Sequence, residues 1–359
     1  MSGEPVSPIL FRVTLRTWQH IKAELLPAFF LSVSLLAAKP APEQAEGPIL
    51  MRISVENVGA HFQSQVVGRF ADLVAARAGK DLMVEFYDGA RLFKDVDVLG
   101  ALSRGDVEMA VPGIWQFDTI VPDTAAFMLP SLFARPIVLH RALADGPLGN
   151  LVDREIGEAL GDRVIGPWLD LGYASLFGLA AISKPEDVKG LTTRVAGGRA
   201  NAERMKALGA LPISISSMDL PGYLDQGAVK AVLTTFETVD SAGLDKHGLK
   251  SAYEDREYYP FYIPLASASF WARLGPETRK IVVQAWAEAV SAGRGQAVAA
   301  QEAARARLVA RGMRISVPGP AELDSTRRLL LAREDDMALR LSVSAEALRL
   351  LRDSVALSP

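Results

Sequence analysis

Lys184-Pro185-Glu186-Asp187-Val188-Lys189-Gly190-Leu191-Thr192-Thr193-Arg194-Val195 is the stretch on which the fold turns. Ser183 ahead of it is a helix-capping residue type, Pro185 suits a first helical turn, and Glu186 is placed to complete a capping box. A short helical turn is therefore expected to feed an extended run at 191–195. A helix at 200–208 and a strand at 211–215 follow, with further strand signal at 229–233. Strand, helix and parallel strand make one α/β unit.

Reading outward toward the N-terminus, a second unit of the same kind is evident. Arg52-Ile53-Ser54-Val55-Glu56 alternates like a strand, and Val66, Val67, Phe70, Leu73 and Val74 recur at helical spacing up to Gly79. Leu82-Met83-Val84-Glu85-Phe86-Tyr87 alternates again. A helix over 96–102 ends at Gly105, a strand over 107–111 stops at Pro112, and helices are expected over 137–143 and 148–160. The chain then crosses 176–182 in extended form. Toward the C-terminus, 276–311 reads as a long Ala-rich helix that Gly293 and Gly295 are expected to bend or loosen. A returning strand over 314–317 and a helical region over 321–355 complete the pattern. Such βαβα order implies mostly parallel sheets covered by helices.

Composition bounds the function. At about 150 residues per domain, 359 residues suggest two domains, and 49% hydrophobic with 23% charged residues is the balance of folded protein. The absence of cysteine excludes disulfides, thiolate nucleophiles and Cys-based metal sites. A net charge of −3 argues against a basic surface for nucleic acid. Arg12, Arg16 and Lys22 precede an uncharged apolar run over 25–38, the layout of a secretory signal, so 1–38 is expected to be a signal peptide. The run is too short to span about 30 Å of hydrocarbon comfortably, so no membrane insertion is expected after cleavage; an uncleaved anchor is the alternative.

Motifs for catalysis are missing. There is no G-x-S-x-G elbow, Walker A loop or H-E-x-x-H, and His61, His140 and His247 are too scattered to suggest a metal site. Carboxylate pairs such as Glu254-Asp255 and Asp335-Asp336 read as solvated faces. Neither a cofactor nor a metal is expected, and an enzyme is not expected.

The opening stretch resembles a signature of the substrate-binding proteins of TRAP (tripartite ATP-independent periplasmic) transporters, the DctP-like family. Ala207-Leu208-Gly209-Ala210-Leu211-Pro212 and Tyr223-Leu224-Asp225-Gln226-Gly227-Ala228-Val229 resemble two further family segments in the same order. Gly105-Asp106-Val107-Glu108-Met109, Phe127 to Phe133, Tyr258-Tyr259-Pro260 and Trp271 to Glu277 fit as well. The resemblance implies an α/β, two-lobed periplasmic binding protein fold with crossing strands and a long bridging helix. Lobe I would comprise 49–175 and 268–310, and lobe II 176–267 and 311–359, with the 276–311 helix spanning both. It implies a periplasmic protein that captures a small organic acid by hinge closure and hands it to TRAP membrane permease subunits. Alternatives are a ligand-binding sensor without a transport role and a secreted α/β enzyme, the latter lacking a nucleophile–base constellation.

By the same resemblance Arg194 pairs with the ligand carboxylate, a role that suits a permanently charged planar donor. Departures from the family pattern are Ala174, where many members carry a second arginine; Thr234, where asparagine is usual; Lys230 for an acidic residue; and Ser267 for another asparagine. Glu56, Lys94, Trp115 and Gln116 follow strand ends on the opposite lobe, where binding groups are expected. Glu56 would suit a ligand amine or hydroxyl, and Trp115 would stack on the ligand or pack in the core. Lys94 would replace the charge missing at Ala174, or be a solvated lysine. Ser217, Tyr173 and Phe236 are further lining candidates, with Tyr258 a weaker one.

Overall fold

The computed structural model describes residues 47–357, so the expected signal over 1–38 lies outside the described residues. The first alternating run becomes β1 (Ile49–Ser54), whose Met51 and Ile53 are fully buried. There follow β2 (Leu82–Tyr87), β3 (Met109–Ala110), β4 (Arg163–Val164), β5 (Leu169–Asp170), β6 (Ala174–Gly178) and β7 (Thr192–Val195). The remaining strands are β8 (Leu211–Ser214), β9 (Ala231–Thr234), β10 (Ser251–Tyr258), β11 (Phe261–Tyr262), β12 (Leu265–Ala266) and β13 (Arg314–Ser316).

Two sheets result. The first runs β2-β1-β3-β12-β4 and the second β13-β10-β6-β9-β7-β8, while β5 and β11 pair on the segments passing between them. The βαβ portions are parallel, as their helical crossovers require: β1 with β2 and β3, and β7 with β8 and β9. The passing strands are antiparallel, because β6 and β12 enter a sheet directly from the other lobe without a crossover helix. Thus β12 completes the first sheet, whereas the sequence expectation puts 265–266 in lobe II.

At the opening stretch the expected turn is a 3-10 turn, Pro185–Val188, and its capping differs from expectation. Asp187, not Glu186, closes it: one carboxylate oxygen accepts from Ser183 N at 2.8 Å, Ser183 Oγ at 2.9 Å and Lys184 N at 3.2 Å.

The long helix Pro276–Ala310 is continuous through both glycines. Gly293 serves close packing rather than a bend, since a Cβ there would stand 3.0 Å from a Val66 methyl and 3.2 Å from one of Leu169. Trp286 is buried edge-on against Phe70 of helix Phe62–Ala78 (5.3 Å between centroids), and its indole N–H donates to Pro167 O. Further along, Gln301 Oε1 accepts from Glu237 N of helix Phe236–Ser241, and Arg305 pairs with Glu254 of β10. The helix thus touches elements attached to both sheets. The final helical region is three helices, Pro320–Leu331, Glu334–Leu341 and Ala345–Ala356. The last of these packs on Ile137–Ala144 and Pro147–Leu160, elements of the first half, although 311–359 is expected in lobe II.

Candidate functional site

The parallel strands β1, β3, β7 and β9 direct their C-terminal ends toward one cleft, the position at which open α/β sheets bind ligands. Glu56 follows β1, Trp115 follows β3, Arg194 lies in β7 and Thr234 ends β9, and all four line a cavity of about 20 Å³ between the sheets. Ser217 and Ala174 line it too. Ala174 is fully buried opposite Tyr258 in the β6–β10 pairing, so the arginine replaced here would have pointed at this cavity region.

Arg194 is 2% exposed. Its Nε donates to Ile215 O at 2.9 Å and Nη2 reaches Ser217 Oγ at 3.3 Å. No carboxylate of the described residues stands within ion-pair distance of it. Burial pulls its pKa downward, opposed by the more distant charges of Asp95 and Glu56. Guanidinium has five N–H donors, so most of them remain available for an anion.

Glu56 faces the same space. Burial, and then the neighbouring charge of Asp95, push its carboxyl up from the ordinary 4.5 to about 8. A folded state that holds this proton while the unfolded chain releases it loses stability as pH rises from about 4.5 to 8. In ligand-free melts from pH 5 to 8, Glu56→Gln should gain on the wild type steadily with pH, by several degrees at the upper end. A constant offset would mean that the carboxyl is ionised throughout.

Other expected site residues are placed elsewhere. Lys94 is half exposed at the rim, where its Nζ pairs with Asp219 at 3.0 Å, so it brings no charge to the cavity. Gln116 packs its amide against Gly197. Tyr173 and Phe236 line a separate cavity of about 390 Å³ beside the long helix, with Arg256, Glu254 and Gln301. Ser267 caps helix Ala268–Arg273 through Phe270 N and takes no part in the cavity. Cavity residues without a sequence signal are Asn57, Tyr262, Thr235 and Thr238. Tyr262 OH accepts from Asn57 Nδ2 at 2.7 Å and donates to Glu56 Oε1 at 3.2 Å.

The two lobes exchange helix caps across the cleft. Asp118, following Trp115 on the first side, accepts from Ala200 N at 2.8 Å and so caps helix Arg199–Ala207 of the second. Glu237 of the second side accepts from Phe62 N at 2.8 Å at the start of helix Phe62–Ala78. Its other oxygen lies 2.7 Å from His61 Nε2, which carries the ring proton because Nδ1 accepts from Gln63 N. Gly198 sits at φ 79°, and a Cβ there would come within 2.5 Å of Trp115 O, so only glycine permits this approach. Each cap satisfies orphan amides only when the lobes are together. Glu237→Ala should therefore weaken ligand binding about tenfold by favouring the open form, with a larger radius of gyration in X-ray scattering of the liganded protein. Unchanged affinity and radius would show that the cap does not hold the lobes.

The sequence profile of the bacterial extracellular solute-binding protein family 7 (DctP) matches residues 56–337. The chain belongs to this family. Among curated relatives of this solute-binding protein, the C4-dicarboxylate-binding periplasmic protein DctP of Rhodobacter capsulatus is 26% identical over 275 residues, covering 76% of this chain and 80% of its own. Solved structures share the fold. A TRAP periplasmic solute-binding protein of Sulfurospirillum deleyianum with bound succinate superposes with a TM-score of 0.80 at 20% identity, covering 87% of this chain and all of its own. The sugar acid binding protein DctPAm of Advenella mimigardefordensis, in complex with galactonate, gives 0.80 at 18% identity, covering 86% and 98%. Families of this kind bind solutes rather than transform them. No helix among the described residues is long and apolar enough to cross a membrane.

Proposed function

We infer that this solute-binding protein captures a small organic acid in the periplasm, with Arg194 as the carboxylate anchor, and delivers it to a TRAP membrane permease. The carrying observation is a buried guanidinium without a carboxylate partner among the described residues, on the wall of the interlobe cavity. A desolvated cation costs free energy until an anion pairs with it, and bidentate pairing suits a carboxylate. Ligand carboxylate on Arg194 and ligand contacts from Glu56 and Trp115 would draw on both sheets at once, so binding favours the closed form in which the helix caps are exchanged. The named relatives that bind C4-dicarboxylates, succinate or galactonate support the acid class.

Native mass spectrometry of the purified protein tests this reading. A carboxylic acid released from the folded protein is expected; a neutral sugar or a metal complex in its place would refute it. Uptake of that acid by vesicles holding the permease should then require the protein.

A further inference from the structure

With Arg194 as the carboxylate anchor, on which the following rests, the geometry points to a small zwitterion as the ligand: one carboxylate on Arg194 and one cationic nitrogen at Glu56 and Asp95. Arg194 is the only cationic side chain lining the cavity among the described residues. The second arginine position is Ala174, and Lys94 is committed to Asp219 at the rim. Opposing this single cation are two carboxyls. Glu56 lines the cavity, and Asp95, 3% exposed, lies beside it and shares a smaller adjacent cavity with it. Asp95 Oδ1 accepts from Ser216 Oγ at 2.6 Å, the Glu56 carboxyl lies within hydrogen-bonding reach of Asp95, and Oδ2 is buried without another partner among the described residues.

The side chains around the cavity select the ligand. One guanidinium faces two carboxyls there, so the wall offers no counter-charge to a second anionic group. A dicarboxylate would press its second group against Glu56 in a desolvated space, and a hydroxy monoacid would leave the carboxyl side without a cation. A zwitterion places an ammonium group there instead. An ammonium group has three donors, enough to engage Glu56, the unpartnered Asp95 oxygen and one cavity hydroxyl. Trp115, edge-on to Tyr262 at 5.3 Å, adds an aromatic surface on which a cationic nitrogen is favoured. The other acidic group near this end, Glu237, is already engaged by His61 and Phe62 N.

Isothermal titration of ligand-stripped protein with two matched pairs tests the inference: γ-aminobutyrate against succinate, and L-alanine against lactate. The amino member of at least one pair should bind 30-fold or more tightly than its counterpart. Glu56→Gln should remove at least tenfold of that preference, whereas Arg194→Met should weaken both members; melts of each variant check that it folds. Succinate or lactate binding more tightly than its amino counterpart, and still lost in Arg194→Met, would overturn the zwitterion while leaving the carboxylate anchor standing. Acid binding that survives Arg194→Met would instead refute the anchor. Failure of all four acids to bind would count against the organic-acid reading and the zwitterion together.

Discussion

Arg194→Met is expected to weaken binding of the cognate acid by about 100-fold or more, yet to leave the ligand-free protein within a few degrees of the wild-type melting temperature. The two effects separate because the guanidinium is buried without a carboxylate partner among the described residues, its fixed contacts being Ile215 O and Ser217 Oγ. Replacing it with an apolar chain of similar length loses one good hydrogen bond, about 1 kcal/mol, and removes a desolvated charge whose burial was itself unfavourable. The liganded state behaves differently. There the ligand carboxylate would sit in a desolvated site without the guanidinium that pairs with it, and truncating one partner of a buried charge pair costs about 2–5 kcal/mol. Titration calorimetry and ligand-induced thermal shift read the two states separately. Affinity within threefold of wild type would remove Arg194 from the site, and a collapse of ligand-free stability would make it a structural arginine.

Elements governed by local periodicity were legible in the sequence. Alternation from Arg52 and from Leu82 marks β1 and β2, and the helical recurrence of Val66, Phe70 and Val74 marks the helix between them. Strand-end position pointed to Glu56 and Trp115, and the family resemblance to Arg194 and Thr234; all four line the cavity. What stayed hidden depends on partners far along the chain. Helix Phe62–Ala78 has no acidic residue in its first turn, and its cap arrives from Glu237, 175 positions later. Tyr262 reads as one more aromatic in an apolar run until the chain returns past β1. Lys94 reads in sequence as a replacement cation or a solvated lysine, because sequence reveals charge but not the reach of Asp219 toward it. Tyr173 and Phe236 sit near cavity residues in sequence, but they line the space beside the long helix.

The same limit hides a fully buried ion pair, Arg204 with Glu257. Glu254-Asp255 reads as a solvated face, yet Asp255, like Glu257 two residues on, is fully buried, while Glu254 is half-buried and Arg256 exposed. Asp255 and Glu257 share the inward face by the two-residue period of the strand, and Arg256 between them adopts φ 56° at an irregularity in the β6–β10 pairing.

Arg204→Met is expected to destabilise the protein by about 3–5 kcal/mol, the cost of breaking a buried pair by removing one partner. At about 2–4 °C per kcal/mol for a chain of this order of size, the melting temperature should fall by roughly 6–20 °C. Arg204, fully buried, donates from Nε to Glu257 Oε2 at 3.1 Å and from Nη1 to Met128 O at 3.0 Å, while Nη2 contacts the Glu257 carboxylate and carbonyl. Its loss strands Glu257 in the interior beside Asp255, which burial and then the Glu257 charge already hold well above the carboxylate range. Arg204→Met combined with Glu257→Met removes both charges and should recover more than half of the lost stability; a double variant as unstable as the single would show that packing, not charge, is at stake. Arg204 and Arg194 are both buried arginines, and they should fail in opposite ways. Arg204 has its carboxylate inside the chain, so its loss is felt in the melt before any ligand is added. Arg194 has none among the described residues, so its loss is felt only when the acid that would pair with it arrives.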